Sequence, residues 1–301
     1  MGVIIMAVDL HIHSIASSDG ELSAKQILEM ALNLNLEAIA IADHDSIKSV
    51  EEGIFWGKKY GVEVIPACEI EGKHQGKTIH ILGYFIEIED HGLHQLFTKV
   101  EETRRQIIDL QIAKLREAGF YLEKEDVMKE CNYTVPVNGS FVNVIFADPR
   151  NQDNPLIKEY KQKDNYVVRF AFDYLNVGKP FYVSQYVPDA VEAISVIYGS
   201  GGIPILAHPG SNLTIEETEV IDDLLNYGLL GLEVYTSHHN EEQEQYYLDY
   251  CRRNKIVYTC GSDFHGRFKP KVKMGAIKNN TYEVVERLKS LKNNPRIKRG
   301  L

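Results

Sequence analysis

Residues 7–14 read AVDLHIHS. The run is apolar enough for a buried strand, and His11 and His13, one residue apart at its end, project from the same face because side chains alternate along a strand. Two imidazoles so placed can share a metal ion, or can be two ordinary polar residues closing a strand. The rest of the chain decides. Short β-branched runs recur near 38–43, 62–68, 79–86, 203–207, 230–235 and 256–261. Most are followed by a metal-type ligand: Asp43-His44-Asp45 after the second strand, Glu69 after the third, His208 after the fifth, and Asp263 and His265 after the seventh. His80 sits within the fourth.

Amphipathic helical runs near 23–35, 46–60, 189–200, 215–227, 240–254 and 281–292 separate most of these strands, and EGKHQGK at 71–77 is a hairpin-like link. Repeated βα units with nearly continuous apolar strands predict an α/β fold with a parallel sheet covered on both faces. With no glycine-rich dinucleotide fingerprint to favour an open sheet, a seven-stranded, TIM-like (β/α)7 barrel follows. The strand ends of such a barrel meet at one face, where barrel enzymes place their chemistry.

The alternation breaks over 92–185, so 1–91 and 186–301 are assigned to the barrel and 92–185 to an inserted cap subdomain. A long helix, ETRRQIIDLQIAKLREAG, opens the insertion, with Ile107, Leu110, Ile112 and Leu115 as its core stripe. Phe141, Phe146, Tyr166, Phe170, Phe172 and Tyr174 follow, as the cap's own core or as walls for a nucleobase.

The 301 residues are 44% hydrophobic and 25% charged, which excludes a disordered or collagen-like chain. A net charge of −10 disfavours sequence-independent grip on duplex DNA. MGVIIMAVDL carries no basic leader, transmembrane span or lipid-anchor signal, and Cys68, Cys131, Cys251 and Cys260 contain no CxxC pair. A cytoplasmic protein with reduced thiols is expected.

His11, His13, His44, His80, His208 and His265 with Asp19, Glu69 and Asp263 are too many ligands for one tetrahedral ion. Two to three divalent ions are implied, and imidazole and carboxylate without thiolate suits Mn, Zn or Fe. The motifs DLHIHS, IADHDS, AHPG and GSDFHG together resemble the PHP family, the polymerase and histidinol phosphatase superfamily of metal-dependent phosphoesterases. The resemblance covers about 1–85 and 186–270 and implies a distorted seven-stranded barrel with a trinuclear site. It further implies that His11, His13, Glu69 and Asp263 hold one ion, Glu69, His80 and His208 a second, and Asp19, His44 and His265 a third. Asp19 stands where some members carry His. Within the family, SSDG, GKPFYV, GLEVYTSHH and GSDFHG are similar to the branch of nucleoside 3′,5′-bisphosphate phosphatases and 5′–3′ exoribonucleases. That branch usually has an Arg-Thr/Pro-His-containing segment in the insertion, where this chain reads NGSFVNVIFADPR.

The expected chemistry is hydrolysis of phosphomonoesters by metal-activated water, with nucleotides, nucleoside bisphosphates or the ends of short oligonucleotides as substrates and no role for duplex DNA or membrane. His238, after the sixth strand, is placed to bind phosphate or protonate the leaving group. Arg104, Arg105, Lys179 and Arg267 are candidate substrate cations, or simply charged faces. Asp9 and Asp43 are expected to orient ligand imidazoles, Asp45 to cap the following helix, and His74, His91, His94 and His239 to be solvated. The alternatives are a histidinol-phosphate phosphatase, separated from the first reading by carboxylates rather than aromatics beside the phosphate, and a non-catalytic metal-stabilised module. Full retention of the nine ligands weighs against the second alternative.

Overall fold

The structure, a computed structural model, describes residues 7–131 and 134–293; the reading of residues 1–6 as free of a leader or anchor lies outside them. The elements run β1 (Ala7–Ile12), α1 (Ala24–Asn33), β2 (Leu36–Ile41), α2 (Val50–Tyr60), β3 (Glu63–His74), β4 (Lys77–Tyr84) and α3 (His91–Glu117). Four shorter helices follow: α4 (Lys124–Glu130), α5 (Asn138–Ala147), α6 (Pro155–Tyr160) and α7 (Tyr166–Tyr174). The chain then resumes its alternation with α8 (Ala190–Gly199), β5 (Ile203–Leu206), α9 (Thr218–Asn226), β6 (Gly231–Thr236), α10 (Glu241–Asn254), β7 (Val257–Gly261) and α11 (Glu283–Lys292). Two compact units result, one made of 1–16, 20–97 and 187–301 and the other of 17–19 and 98–186.

In the first unit the seven strands pair in sequence order, β1 to β7. Beyond the strand ends, Ile12 bridges Phe264 in parallel, His13 N–H donates to the Phe264 carbonyl (2.9 Å) and Asp263 N–H to the His11 carbonyl (2.8 Å), which draws β1 and β7 together into a nearly closed barrel. Six strands share one direction; β4 opposes both β3 and β5. The fully parallel sheet expected from the alternation is thus corrected at one strand. The cause is the link at 71–77, which is a tight hairpin with Gln75 at φ 48° and Gly76 at φ 78°. Both central residues adopt positive φ, as the favoured two-residue hairpin turn requires. The hairpin also carries β3 beyond its expected end to His74, so Glu69 lies inside the strand.

The outer helices cover the strands with ordinary apolar contacts: Ile27, Leu28 and Ala31 of α1 pack with Ile12, Ile39, Ile41, Phe264 and Met274. Helix α1 starts at a reciprocal cap between Ser23 and Gln26, and α10 at one between Asn240 and Gln243. At the barrel's closure Gly261 has no room for a side chain, since a Cβ there would lie 2.2 Å from the His11 Cβ.

The second unit is helical and has its own core, in which Phe141, Phe146 and Phe170 are buried and Tyr166 and Tyr174 pack at the edge. Phe172 is instead exposed. The stripe on α3 is shifted from the expected one: Arg104, Ile108, Gln111, Ile112 and Leu115 face inward while Leu110 is 60% exposed. This is the i, i+4, i+7 spacing of one helical face, and Leu110 falls off it by about a quarter turn. Among the described residues no helix is long and apolar enough to cross a membrane. Cys68, Cys131, Cys251 and Cys260 are buried and unlinked.

Candidate metal centre

Six of the seven strands bring a candidate ligand to one rim. His11 and His13 lie on the same side of β1 and its continuation, and both are fully buried. His44 follows β2 and bridges Glu69 of β3. His80 reaches the rim from β4 because that strand runs the opposite way. His208, at φ 25°, and Asp263, at φ 58°, follow β5 and β7. Positive φ in residues other than glycine costs of order 1–3 kcal/mol and persists where the surroundings impose it, often at functional sites.

Glu69 lies at the centre. Its Oε1 is 2.9 Å from His80 Nδ1 and 3.0 Å from His208 Nε2. Its Oε2 is 2.9 Å from His44 Nδ1 and 3.3 Å from the Nε2 atoms of both His11 and His13. Asp263 Oδ1 stands 3.1 Å from His13 Nε2 and 3.5 Å from His11 Nε2. Ligand atoms of His11, His13, Glu69 and Asp263 all lie within 4.8 Å of one another, as do those of His44, Glu69 and His80. The His265 ring stacks on His13 at 3.9 Å between centroids, and His44 lies 4.4 Å from His13 on another side. Asp19, half-buried, falls in the 17–19 segment that groups with the second unit.

This arrangement fits divalent ions. His11 Nε2 and His13 Nε2 face each other at 3.1 Å, and two imidazole lone pairs repel at that distance unless a proton or cation lies between or beside them. Glu69 Oε2, Asp263 Oδ1 and His208 Nδ1 are buried without a hydrogen bond among the described residues. Such atoms are costly in a protein interior unless something else satisfies them. The electrostatics agree. Burial pushes the Glu69 carboxyl upward, but His11, His44 and His80 outweigh it and hold Glu69 well below the usual range. Burial likewise raises Asp263, which Lys269, His265 and His11 overcome. Burial lowers His208 to about 4, leaving the neutral imidazole that a metal requires.

A set of carboxylates builds the surroundings, with roles that differ from the expected ones. Asp9 accepts from the backbone N–H of Ser262 (2.8 Å) and Gly275 (2.7 Å). Asp43 accepts from the Ser14 N–H (2.6 Å), the Ser14 hydroxyl (2.8 Å) and the Ser49 hydroxyl. Both therefore hold the loops that carry the ligands rather than the imidazoles themselves. Asp45 accepts from Glu71 N–H, and α2 begins at Ser49 without a side-chain cap. The carboxylate that does grip an imidazole is Glu233 in β6, fully buried, with Oε1 3.0 Å from His11 Nδ1 and Oε2 accepting the His208 N–H at 2.9 Å. Its only sequence signal is a glutamate inside the buried run GLEVYT.

His238 Nε2 lies 2.5 Å from Asp263 Oδ2, and Lys269 Nζ pairs with the same oxygen. The Arg267 side chain is exposed and lies over the Phe268 ring at 4.8 Å, while its N–H donates to Glu21. In the second unit, Arg105 pairs with Glu101 on the exposed face of α3 (2.8 Å), Arg104 is 6% exposed, and Lys179 is exposed with its ammonium 5.8 Å from the Phe172 ring. Two histidines expected to be solvated are structural. His74 is 2.8 Å from Asp223, and His239 accepts the Gly210 N–H (2.9 Å) and donates to the Val234 carbonyl (2.8 Å).

The sequence model of the PHP domain matches residues 9–134, which include six of the nine candidate ligand positions, His11, His13, Asp19, His44, Glu69 and His80. Residues 9–134 thus match a PHP domain. The chain is 27% identical over 270 residues to a phosphoribosyl 1,2-cyclic phosphate 1,2-diphosphodiesterase of Eggerthella lenta, covering 87% of this chain and 95% of that one. It is 26% identical over 262 residues to a 3′,5′-nucleoside bisphosphate phosphatase of Chromobacterium violaceum, covering 86% and 87%. A solved structure from Bifidobacterium adolescentis described as a metal-dependent phosphoesterase superposes with a TM-score of 0.80 at 22% identity, over 96% of this chain and 97% of that one. It shares the fold.

Proposed function

We propose that the protein is a metal-dependent phosphoesterase, a hydrolase of phosphate esters that acts on phosphomonoesters of nucleotides, nucleoside bisphosphates or short oligonucleotides. What carries the reading is the convergence of imidazole nitrogens and carboxylate oxygens at 2.9–3.5 Å around the buried carboxylates of Glu69 and Asp263. His11, His13, Glu69 and Asp263 would hold one ion, Glu69, His80 and His208 a second, and Asp19, His44 and His265 a third, with Mn, Zn and Fe as the candidates. Support for the first set is the mutual approach of its ligand atoms; for the second, the shared contact of His80 and His208 with Glu69 Oε1. Bound ions would supply the charge that holds phosphoryl oxygens and lower the pKa of an attacking water.

The chain's own residues have distinct tasks. Glu69 holds the centre together by offering one oxygen to each side. Glu233 fixes the His11 ring, so that Nδ1 donates and Nε2 keeps its lone pair towards the cluster. His238, 29% exposed at the rim, is placed to pass a proton to the leaving alkoxide. We assign the insertion, 92–185, to substrate choice, with Arg104, Arg105 and Lys179 as candidate cations for a second phosphate and Arg267 as a further one on the barrel. Four unlinked buried thiols support a cytoplasmic setting.

The test is a hydrolysis screen with Mn, Zn or Fe supplied, over nucleoside monophosphates, 3′,5′-bisphosphates, cyclic phosphodiesters, sugar phosphates, histidinol phosphate and duplex DNA. Release of phosphate from nucleotides or bisphosphates well above the others is expected. Turnover of histidinol phosphate without nucleotide activity would overturn the substrate class, and activity undiminished by chelators would overturn the metal dependence.

A further inference from the structure

Both peptide groups of Gly210 are held by side chains that follow β6, His239 in the loop and Gln243 in the first turn of α10. His239 Nε2 accepts the Gly210 N–H (2.9 Å), and Gln243 Nε2 donates to the Gly210 carbonyl (3.3 Å). The His239 ring is itself fixed: Nδ1 lies 2.8 Å from the Val234 carbonyl, which can only accept, so Nδ1 carries the proton and Nε2 keeps its lone pair for Gly210. The ring also lies against Tyr247, 5.1 Å between centroids. The fit is close, since a Cβ at Gly210 would lie 2.6 Å from Gln243 Nε2 and 2.9 Å from His239 Nε2. Gly210 stands two residues after His208, whose backbone at φ 25° lies outside the favoured regions and persists only where its surroundings impose it. On one side Glu233 binds the His208 N–H. On the other the His208 carbonyl accepts from Ser211 N–H (2.9 Å), within the turn Pro209–Ser211 that the two side chains grip.

We propose that His239 and Gln243 are positioning residues for His208, aiming its ring at Glu69 by holding the turn that carries it. Resting on the reading in which Glu69, His80 and His208 hold a second ion, this role adds two residues that would touch neither metal nor substrate. The His208 ring has little else to steer it: Nε2 is 3.0 Å from Glu69 Oε1, while Nδ1 has no hydrogen bond among the described residues. Its direction is therefore set through the backbone, and a turn released at Gly210 would let the strained His208 relax and swing its ring from the cluster. The same clamp reaches the rim. His239 directly follows His238, and its N–H returns to the Thr236 carbonyl (3.4 Å), so one residue spaces the His208 and His238 rings, 5.0 Å apart.

The experiment uses the full chain with Mn supplied and divides the two bonds of the His239 imidazole between two variants. In His239→Gln the side chain reaches as far as Nε2 and offers an oxygen to the Gly210 N–H. In His239→Asn it stops at the position of Nδ1, keeping the bond to the Val234 carbonyl and losing the one to Gly210. Gln243→Glu keeps the oxygen that accepts the Asn240 N–H at the start of α10 but turns an acceptor on the Gly210 carbonyl. Mn binding is followed by competition with a chromophoric chelator and by the EPR signal of exchange-coupled ions. His239→Asn and Gln243→Glu should weaken one Mn ion about tenfold or more, hold the tightest ion within about twofold and lose the coupled signal at equal loading, whereas His239→Gln should recover most of both. Urea unfolding of the metal-free proteins checks that each variant folds; if His239→Asn does not, Gln243→Glu decides by the same readouts. Unchanged Mn binding in the folded variants, equal weakening of all ions, or no advantage of His239→Gln over His239→Asn would each overturn the assignment while leaving the phosphoesterase reading intact. A wild type without a coupled pair of ions would overturn the second-ion reading along with it.

Discussion

Replacing Glu233 by Gln tests how much of the metal centre is built by a residue that would touch no metal. The carboxylate is fully buried and accepts twice, from His11 Nδ1 at 3.0 Å and from the His208 N–H at 2.9 Å. An amide of the same shape has one accepting oxygen, so if it serves His11 it turns its NH2 on the His208 N–H, and if it serves His208 it confronts the His11 ring. One buried donor is left unsatisfied in either case, at a cost of roughly 1–3 kcal/mol. Part of that cost falls on the His11 tautomer and part on the His208 backbone, held at φ 25°. Since outer partners of metal ligands commonly contribute 10–100-fold in metal affinity, Glu233→Gln should weaken the tightest divalent ion by about that factor and lower activity at limiting metal. Excess metal should restore much of the activity. The assay is competition with a chromophoric chelator, alongside urea unfolding of the metal-free protein. Affinity within twofold of wild type would refute the reasoning, as would a loss of activity that saturating metal leaves untouched.

Other outcomes follow from the same geometry. Glu69→Gln should reduce metal content and activity more than His80→Ala or His208→Ala, because Glu69 offers an oxygen to each side of the cluster; equal losses, read by elemental analysis and initial rates, would argue against bridging. Gly261→Ala places a Cβ 2.2 Å from the His11 Cβ and 2.7 Å from Glu233 Oε1, so urea unfolding should register a destabilisation of roughly 1–3 kcal/mol or more together with poorer metal retention. Burial holds His239 at about 4, below its value of about 6.5 in an unfolded chain. The unfolded state therefore binds more protons as pH falls from about 6.5 to 4, and the stability that His239 contributes is lost over that window at a slope of up to about 1.4 kcal/mol per pH unit. His239→Gln should flatten the urea midpoint between pH 7 and 5 relative to wild type; identical slopes would contradict this.

Much of the fold and of the candidate site was legible because ligand-type residues at strand ends are a pattern in one dimension that a barrel converts into a cluster. His11, His13, His44, His208 and His265 each follow an apolar run, and the run alone says which end carries the side chain to the rim. His80 was harder to place, since it lies inside its strand, and only the reversed direction of β4 accounts for its reaching the same rim. What stayed hidden are the contacts made across the barrel. Glu233 reads as an anomalous charge in a buried strand, with nothing local to couple it to residues 222 and 25 positions away. Asp9, Asp43 and Asp45 were legible as polar residues near strand ends, but whether a carboxylate takes an imidazole or a backbone N–H depends on loop paths that periodicity does not encode. The turn at 266–268 brings Lys269 to Asp263, a contact that the motif GSDFHG does not signal.

The most direct test of the central claim is elemental analysis of the wild-type protein, purified without chelator and with Mn, Zn or Fe supplied. The account predicts two to three divalent ions per chain, falling together with phosphatase activity on chelation and returning with it on resupply. One ion or none, or activity that persists in the stripped protein, would contradict it.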